Sequence, residues 1–276
     1  MKRKLILFLS LALITASSTR AQGPAYHLIA HRGGIVDRQY DEYDPRGIQA
    51  AIHRGYWMLE VDIHMSKDSV LVMSHDDSLD RVFGCPKRVG DMDYADISKL
   101  VSPRGHYHVL TFDELCRICS GKVRLMIDIK GDRDHLPPVF FRKMKEIMEK
   151  YNLLSTAWWI NEVSRNYFMG KGKFEFRMTE LEGMKRRLAA GEPIADNYFL
   201  FDAGNRLTSS AVKWCQLHGV TVVPTVNKDH YNGLEDHFAG AKRDIEFLKA
   251  CGVTEFQIDS WYDTAFKPAS QKPISK

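Results

Sequence analysis

His31 and Arg32 follow the apolar run Leu28-Ile29-Ala30, and His75-Asp76 closes a second run, Val70-Leu71-Val72-Met73-Ser74. Between them Glu60 and Asp62 alternate with Leu59, Val61 and Ile63. In a strand this alternation puts both carboxylates on one face, where they repel unless a cation lies between them. Val123–Gly131 reads as another strand, with Asp128 and Lys130 on one face. Three carboxylates, Glu60, Asp62 and Asp128, form an all-oxygen set that suits one hard divalent cation, Mg²⁺ or Ca²⁺, better than zinc. Surface acids are the ordinary alternative, but acids flanked by apolar residues on central strands are rarely placed for solubility. Imidazole titrates near neutral pH, so of His31 and His75 one can give a proton and the other take one. Arg32 offers a planar fork matched to phosphate oxygens. Lys130 adds a second cation that either reaches a phosphate or neutralises Asp128. Together these groups point to phosphoryl chemistry with a small-molecule substrate.

The segments around them alternate between strand and helix. Strand-like runs fall at 25–30, 57–64, 70–74, 123–130, 156–160, 174–178, 197–201, 220–226 and 255–258. Helices are expected at 45–55, with Pro45 in its first turn, and at 111–118, opened by the capping-box pattern Thr111-Phe-Asp-Glu114. Others follow at 140–151, 179–190, 208–218 and 234–250. Strict alternation argues for a parallel α/β sheet, and the polar groups lie at strand C-terminal ends, where (β/α)₈ barrels build their sites. A doubly wound sheet would need a glycine-rich turn after the first strand, and His31-Arg32-Gly33-Gly34 does not supply one. The expected fold is α/β, a single (β/α)₈ TIM barrel over residues 22–276, with one of the nine strand-like segments accessory.

Residues 1–21 combine Lys2-Arg3-Lys4, a short apolar run and Ala21, the pattern of a secretory signal peptide. The expected location is therefore exported, periplasmic or extracellular, with no stable membrane insertion after the signal is removed. The formal net charge is +4, and residues 1–21 contribute four basic side chains and no acid, so the remainder is neutral. Nothing in that balance favours nucleic acid or an anionic membrane. Five cysteines are too few for a disulfide scaffold, and Cys116-Arg-Ile-Cys119 reads as two cysteines on a helix face.

His31-Arg32, Glu60-x-Asp62 and His75-Asp76 resemble the glycerophosphodiester phosphodiesterase family. The similarity extends through Lys67-Asp68, Leu79-Asp80-Arg81, Ile127-Asp128-Ile129-Lys130, Pro224-Thr225-Val226-Asn227 and Ile258-Asp259. The resemblance implies a metal-dependent TIM-barrel phosphodiesterase releasing glycerol 3-phosphate and an alcohol. It implies His31 and His75 as acid and base, Glu60, Asp62 and Asp128 as metal ligands, and Arg32 and Lys130 as phosphate contacts. The chain departs from the family in three places. Asp41-Glu42-Tyr43-Asp44 replaces a P-E-N-T-like stretch, leaving Glu42 as a supporting acid. Asp128 stands where Glu is usual, which is similar to the sphingomyelinase-D-type phospholipases. Pro224 replaces a tryptophan. The alternatives to the first reading are a phospholipase D-like enzyme acting on lysophospholipids and an inactive barrel that binds a phosphorylated ligand. Trp158-Trp159 and Trp261-Tyr262 either line a pocket or pack the barrel rim.

Overall fold

A computed structural model describes residues 25–266; the signal-peptide segment lies outside the described residues. Eight parallel strands close a barrel: β1 (His27–Ala30), β2 (Met58–Met65), β3 (Arg124–Ile129), β4 (Trp158–Ile160), β5 (Lys173–Phe176), β6 (Tyr198–Ala203), β7 (Thr221–Val226) and β8 (Glu255–Ile258). Each pairs with its neighbours in chain order. Ala30 of β1 lies beside both Leu59 of β2 and Ile258 of β8, which closes the ring. This is the expected (β/α)₈ architecture.

One of the nine strand-like segments is accessory, as expected. The run at 70–74 is not a barrel strand: Leu71–Met73 pairs antiparallel with β2, Val72 opposite His64. The connection from β2 is a short turn closed by the Ser69 N–H to the Ser66 carbonyl. Such a turn can join antiparallel strands only, because a parallel return needs a crossover of a dozen or more residues. His75 therefore reaches the barrel mouth from an added strand, and Asp128 lies on the third barrel strand. A small hairpin, Ser78–Leu79 with Cys85–Arg88, follows it.

Strand alternation divides the side chains into two layers. Leu59, Val61, Ile63, Leu125, Ile127 and Ile129 point outward and share one apolar layer with Phe112, Leu115, Phe140 and Met144 of the surrounding helices. Full burial of each such side chain stabilises the fold by about 1.5–3 kcal/mol. Inward-facing Met58, Met126, Trp158, Phe199 and Phe201 plug the lower barrel. Above that plug the same strands present Glu60, Asp62 and Asp128. The barrel floor is thus dry and its upper layer polar.

The helices begin where the capping residues put them. Asp44 accepts from the Arg46 N–H ahead of helix Pro45–His53, and Thr111 and Glu114 form a reciprocal box at Phe112–Cys119. Cys116 and Cys119 are buried on that helix and unpaired, with burial raising both thiols above their ordinary range, Cys119 to about 12. Trp158 and Trp159 both pack. Trp159 stacks on Phe168 at 4.2 Å between ring centroids and donates from Nε1 to the Lys171 carbonyl at 2.7 Å.

Candidate active site

The parallel register sets Asp62 beside Asp128 and Glu60 beside Met126. Glu60, Asp62 and Asp128 thereby bring one carboxylate oxygen each to within 4.8 Å of one another. Glu60 and Asp62 are buried. Desolvation and the Asp62 charge push Glu60 up to about 8. Burial also works against the Asp62 charge, but Lys130, His75 and the Tyr43 hydroxyl outweigh it and hold Asp62 below its ordinary range. The donor set fits a hard divalent cation: oxygen only, convergent, and with one acid that stays protonated unless more positive charge is present.

Each carboxylate is oriented by a donor from another part of the chain. The Arg32 N–H donates to Glu60 Oε2 at 3.0 Å. The Tyr43 hydroxyl donates to Asp62 Oδ2 and accepts from the Asp62 N–H at 2.8 Å. Asn161 Nδ2 donates to Asp128 Oδ1. Three of the residues nearby occupy the left-handed region, Arg32 (φ 55°), Tyr43 (φ 57°) and Asn161 (φ 81°), where a side chain is tolerated only when its surroundings hold it. Gly33 is required beneath Tyr43, since a Cβ there would lie 2.5 Å from the tyrosine ring. Lys130 bridges the opposing oxygens, with Nζ 2.9 Å from Asp62 Oδ1 and 2.8 Å from Asp128 Oδ2.

His31, in the short turn after β1, sits above this cluster with Nε2 4.0 Å from Glu60 Oε2 and 3.3 Å from Asn227 Nδ2. Its Nδ1 lies 2.6 Å from Asp259 Oδ1, just past the end of β8. Burial disfavours the imidazolium, yet the Asp259 hydrogen bond and charge, helped by Glu60, raise His31 above its ordinary value. Asp259 is itself fixed by the Lys228 N–H at 2.6 Å. His75 faces His31 edge-on at 6.4 Å between centroids, its Nδ1 2.7 Å from Asp76 Oδ1. Asp76 is held by Arg81 Nε at 2.6 Å. Arg81 also grips Glu42 through both terminal nitrogens at 2.9 and 2.8 Å. Glu42 in turn accepts from Arg32 Nη1 at 3.3 Å, so this buried acid braces the two arginines and stands apart from the carboxylate cluster.

Of the residues singled out in the sequence, His31, Arg32, Glu60, Asp62, His75, Asp128 and Lys130 thus lie around one mouth. Asp259, Asn227, Tyr43 and Asn161 were not among them. Asp259 and Asn227 follow strands β8 and β7, so the strand-end rule that marks His31 could have found them. Nothing local marks Tyr43 or Asn161. Asp259→Asn is expected to lower the His31 pKa by removing the charge that opposes desolvation. The basic limb of the kcat/KM profile should then move to lower pH, with activity at pH 8 falling about 10²-fold or more. A pH–rate profile checks this, and an unmoved basic limb rules out the coupling.

Residues 31–232 match the model of the glycerophosphoryl diester phosphodiesterase family. Human lysophospholipase D GDPD1 is 28% identical over 149 residues, 48% of this chain and 44% of that protein. Mouse glycerophosphodiester phosphodiesterase 1 is 27% identical over 133 residues, 45% and 40% of the two chains. The match spans less than half the length of these curated relatives. Among solved structures, a glycerophosphoryl diester phosphodiesterase from Parabacteroides distasonis superposes with a TM-score of 0.69 at 18% identity, covering 92% of this chain and 91% of that one. An Oleispira antarctica phosphodiesterase solved in complex with the product sn-glycerol-3-phosphate gives 0.66 at 16%, covering 87% and 96%. At such identities the structural likenesses establish the barrel alone, and it is the family model, matched from His31 past Asn227, that decides the assignment: this chain belongs to the glycerophosphoryl diester phosphodiesterase family.

Proposed function

We propose that the protein is a divalent-cation-dependent phosphodiesterase that hydrolyses glycerophosphodiesters to glycerol 3-phosphate and an alcohol. One observation carries this reading: two imidazoles, each backed by a carboxylate on Nδ1, face one another above three convergent carboxylates. Displacement at phosphorus needs a proton taken from the attacking oxygen and a proton given to the leaving oxygen. His31, whose proton affinity Asp259 raises above its ordinary value, serves as the acid. His75, oriented by Asp76, serves as the base. Arg32 and Lys130 lie at the mouth of the same site and contact the phosphoryl oxygens. Glu60, Asp62 and Asp128 hold the divalent cation, Mg²⁺ or Ca²⁺, which when bound supplies positive charge against the phosphoryl oxygens. The protein acts after export, a reading supported by the basic and apolar pattern of residues 1–21.

Purified protein incubated with a glycerophosphodiester is expected to release glycerol 3-phosphate, seen by ³¹P NMR. EDTA should stop the reaction, and added Mg²⁺ or Ca²⁺ should restore it. Full turnover in chelator after exhaustive dialysis would remove the metal from the mechanism.

A second reading, cleavage of lysophospholipids, is favoured by a groove of about 270 Å³ past β8, lined by Phe238, Ile245, Trp261 and Tyr262. Phe238 and Trp261 are exposed there. It also accords with the name of the human relative. Competition between a lysophospholipid and a water-soluble glycerophosphodiester separates the two substrates. No helix among the described residues is long and apolar enough to cross a membrane.

A further inference from the structure

We propose that a cationic cavity at the N-terminal end of the barrel, opposite the mouth, binds the phosphate group of a small anion. The cavity has a volume of about 400 Å³, and its lining includes Arg124, Ser155, Trp158, Lys173, Asp196 and Asn197. Arg124, Trp158 and Lys173 are the first residues of β3, β4 and β5, and Asp196 and Asn197 directly precede β6. Arg124 precedes Asp128 on β3 by about 13 Å, at a rise of ~3.3 Å per residue. The cavity and the carboxylate cluster therefore lie at opposite ends of the same strands.

Both cations in the lining lack an acid partner. The Arg124 guanidinium lies over the Trp57 ring at 5.2 Å and forms no ion pair among the described residues. Stacking occupies the face of the guanidinium and leaves its in-plane N–H donors free. Trp57 is itself held by His27 and Trp158, at 5.1 and 5.2 Å between ring centroids. The Lys173 ammonium donates to the Ala195 carbonyl at 2.7 Å and likewise forms no ion pair among the described residues. An ammonium carries three donors, so others remain for a ligand. Burial pulls Lys173 below its ordinary value, with the charges of Asp196 and Glu255 opposing. A half-buried cation bonded to one carbonyl is poorly compensated, and an anion in the cavity offsets that cost. Gly172 fixes its position: at φ 102° a Cβ would lie 1.9 Å from the Ala157 carbonyl oxygen, so the backbone ahead of Lys173 packs tightly against the start of β4.

Arg124 and Lys173 approach one cavity from strands on either side of β4. A planar carboxylate fills one guanidinium fork. A tetrahedral phosphate points oxygens in several directions and takes the fork and the ammonium together. Ser155 adds a hydroxyl, and Asp196 is the single acid in the lining, so the cavity keeps a surplus of positive charge. Its volume falls within the roughly 300–1,000 Å³ of small-molecule sites, which leaves room for an organic body on the phosphate.

This inference goes beyond the phosphodiesterase reading and does not depend on it. Its test is isothermal titration in EDTA with inorganic phosphate and with ribose 5-phosphate. Arg124→Gln and Lys173→Gln should each weaken binding about tenfold or more. Asp196→Asn removes the one repelling charge and should strengthen binding about twofold or more. With metal present, kcat/KM for a glycerophosphodiester should stay within about twofold of wild type in all three, because none of them touches the mouth. Tighter binding of ribose 5-phosphate identifies an organic phosphate as the occupant, and equal affinities identify free phosphate; either supports the site. No wild-type binding at millimolar concentrations, or binding that all three substitutions leave unchanged, would overturn it. Should Lys173→Gln fail to fold, the exposed Arg124 and Asp196 decide. Substitution-sensitive binding in a protein that cleaves no diester would sink the phosphodiesterase reading and leave the distal site standing.

Discussion

His75→Ala is expected to lower kcat/KM for a glycerophosphodiester about 10³-fold, and His31→Ala by at least as much. A positioned proton donor or acceptor is worth about 10²–10⁴ in rate, and no other imidazole stands where either ring does. His64, the next along the inward face of β2, is buried with its Nδ1 3.9 Å from Asp77 Oδ1. The two substitutions differ in side effects. His75 is partly exposed, so its loss should cost less stability than that of His31. His31 lies between buried Glu60 and Asp259. Removing it leaves those acids with less compensation, and the melting temperature should fall as well. The double variant is expected to be little slower than the worse single one, because both groups serve one displacement. Steady-state kinetics alongside thermal unfolding measures all three proteins. Retention of a tenth of wild-type activity in either folded single variant would exclude that histidine from proton transfer.

Asp62→Asn should abolish divalent-ion binding in the micromolar range and reduce activity at least 10²-fold. Asp62 is the buried centre of the cluster, next to Glu60 on its own strand and Asp128 on the next. Its substitution also changes a pH dependence whose sign is set by Glu60. The folded-state value of Glu60, about 8, lies above the roughly 4.3 of an unfolded chain. The folded protein therefore favours protonated Glu60. That contribution to stability is fully present below about pH 4 and is lost as pH rises through 8. A cation binds the ionised carboxylate, so it must displace that proton. Mg²⁺ or Ca²⁺ affinity is then expected to rise about tenfold per pH unit from pH 6 to near 8 and to level off above. Titration calorimetry at pH 6, 7, 8 and 9, in buffers of different ionisation enthalpy, reports both affinity and proton release. An affinity independent of pH with no proton released would show that Glu60 is not displaced from its proton by the ion.

The accessory strand shows where sequence pattern and chain geometry part. The run at 70–74 is apolar and bounded by turn residues, as a barrel strand would be, and periodicity alone cannot tell the two apart. What separates them is the length of the preceding connection. Lys67-Asp68-Ser69 leaves no room for a crossover helix, so the strand turns back on β2. The tryptophans at 158 and 159 make a related point. Both being apolar, they were compatible with a pocket or with packing. Placement on opposite faces of β4 sends one into the barrel floor and the other into the helical layer, and neither reaches the mouth.

By itself the sequence determined what is local. A period of two puts Glu60 and Asp62 on one face of β2. Capping residues mark the helix starts. Strand ends carry His31 and Arg32, and a strand of its own carries Asp128 and Lys130. Each depends on residues within a few positions, where backbone geometry leaves little choice. Only the tertiary structure decided which distant groups meet. The Asp62–Asp128 pairing follows from parallel register, and the His31–Asp259 bond joins residues 228 positions apart when β8 closes on β1. Tyr43 and Asn161 reach Asp62 and Asp128 from loops that only barrel closure brings over the strand ends. The charge on Glu60 and the proton on His31 depend on burial and on those partners, so they are properties of the closed barrel and not of any segment of the chain.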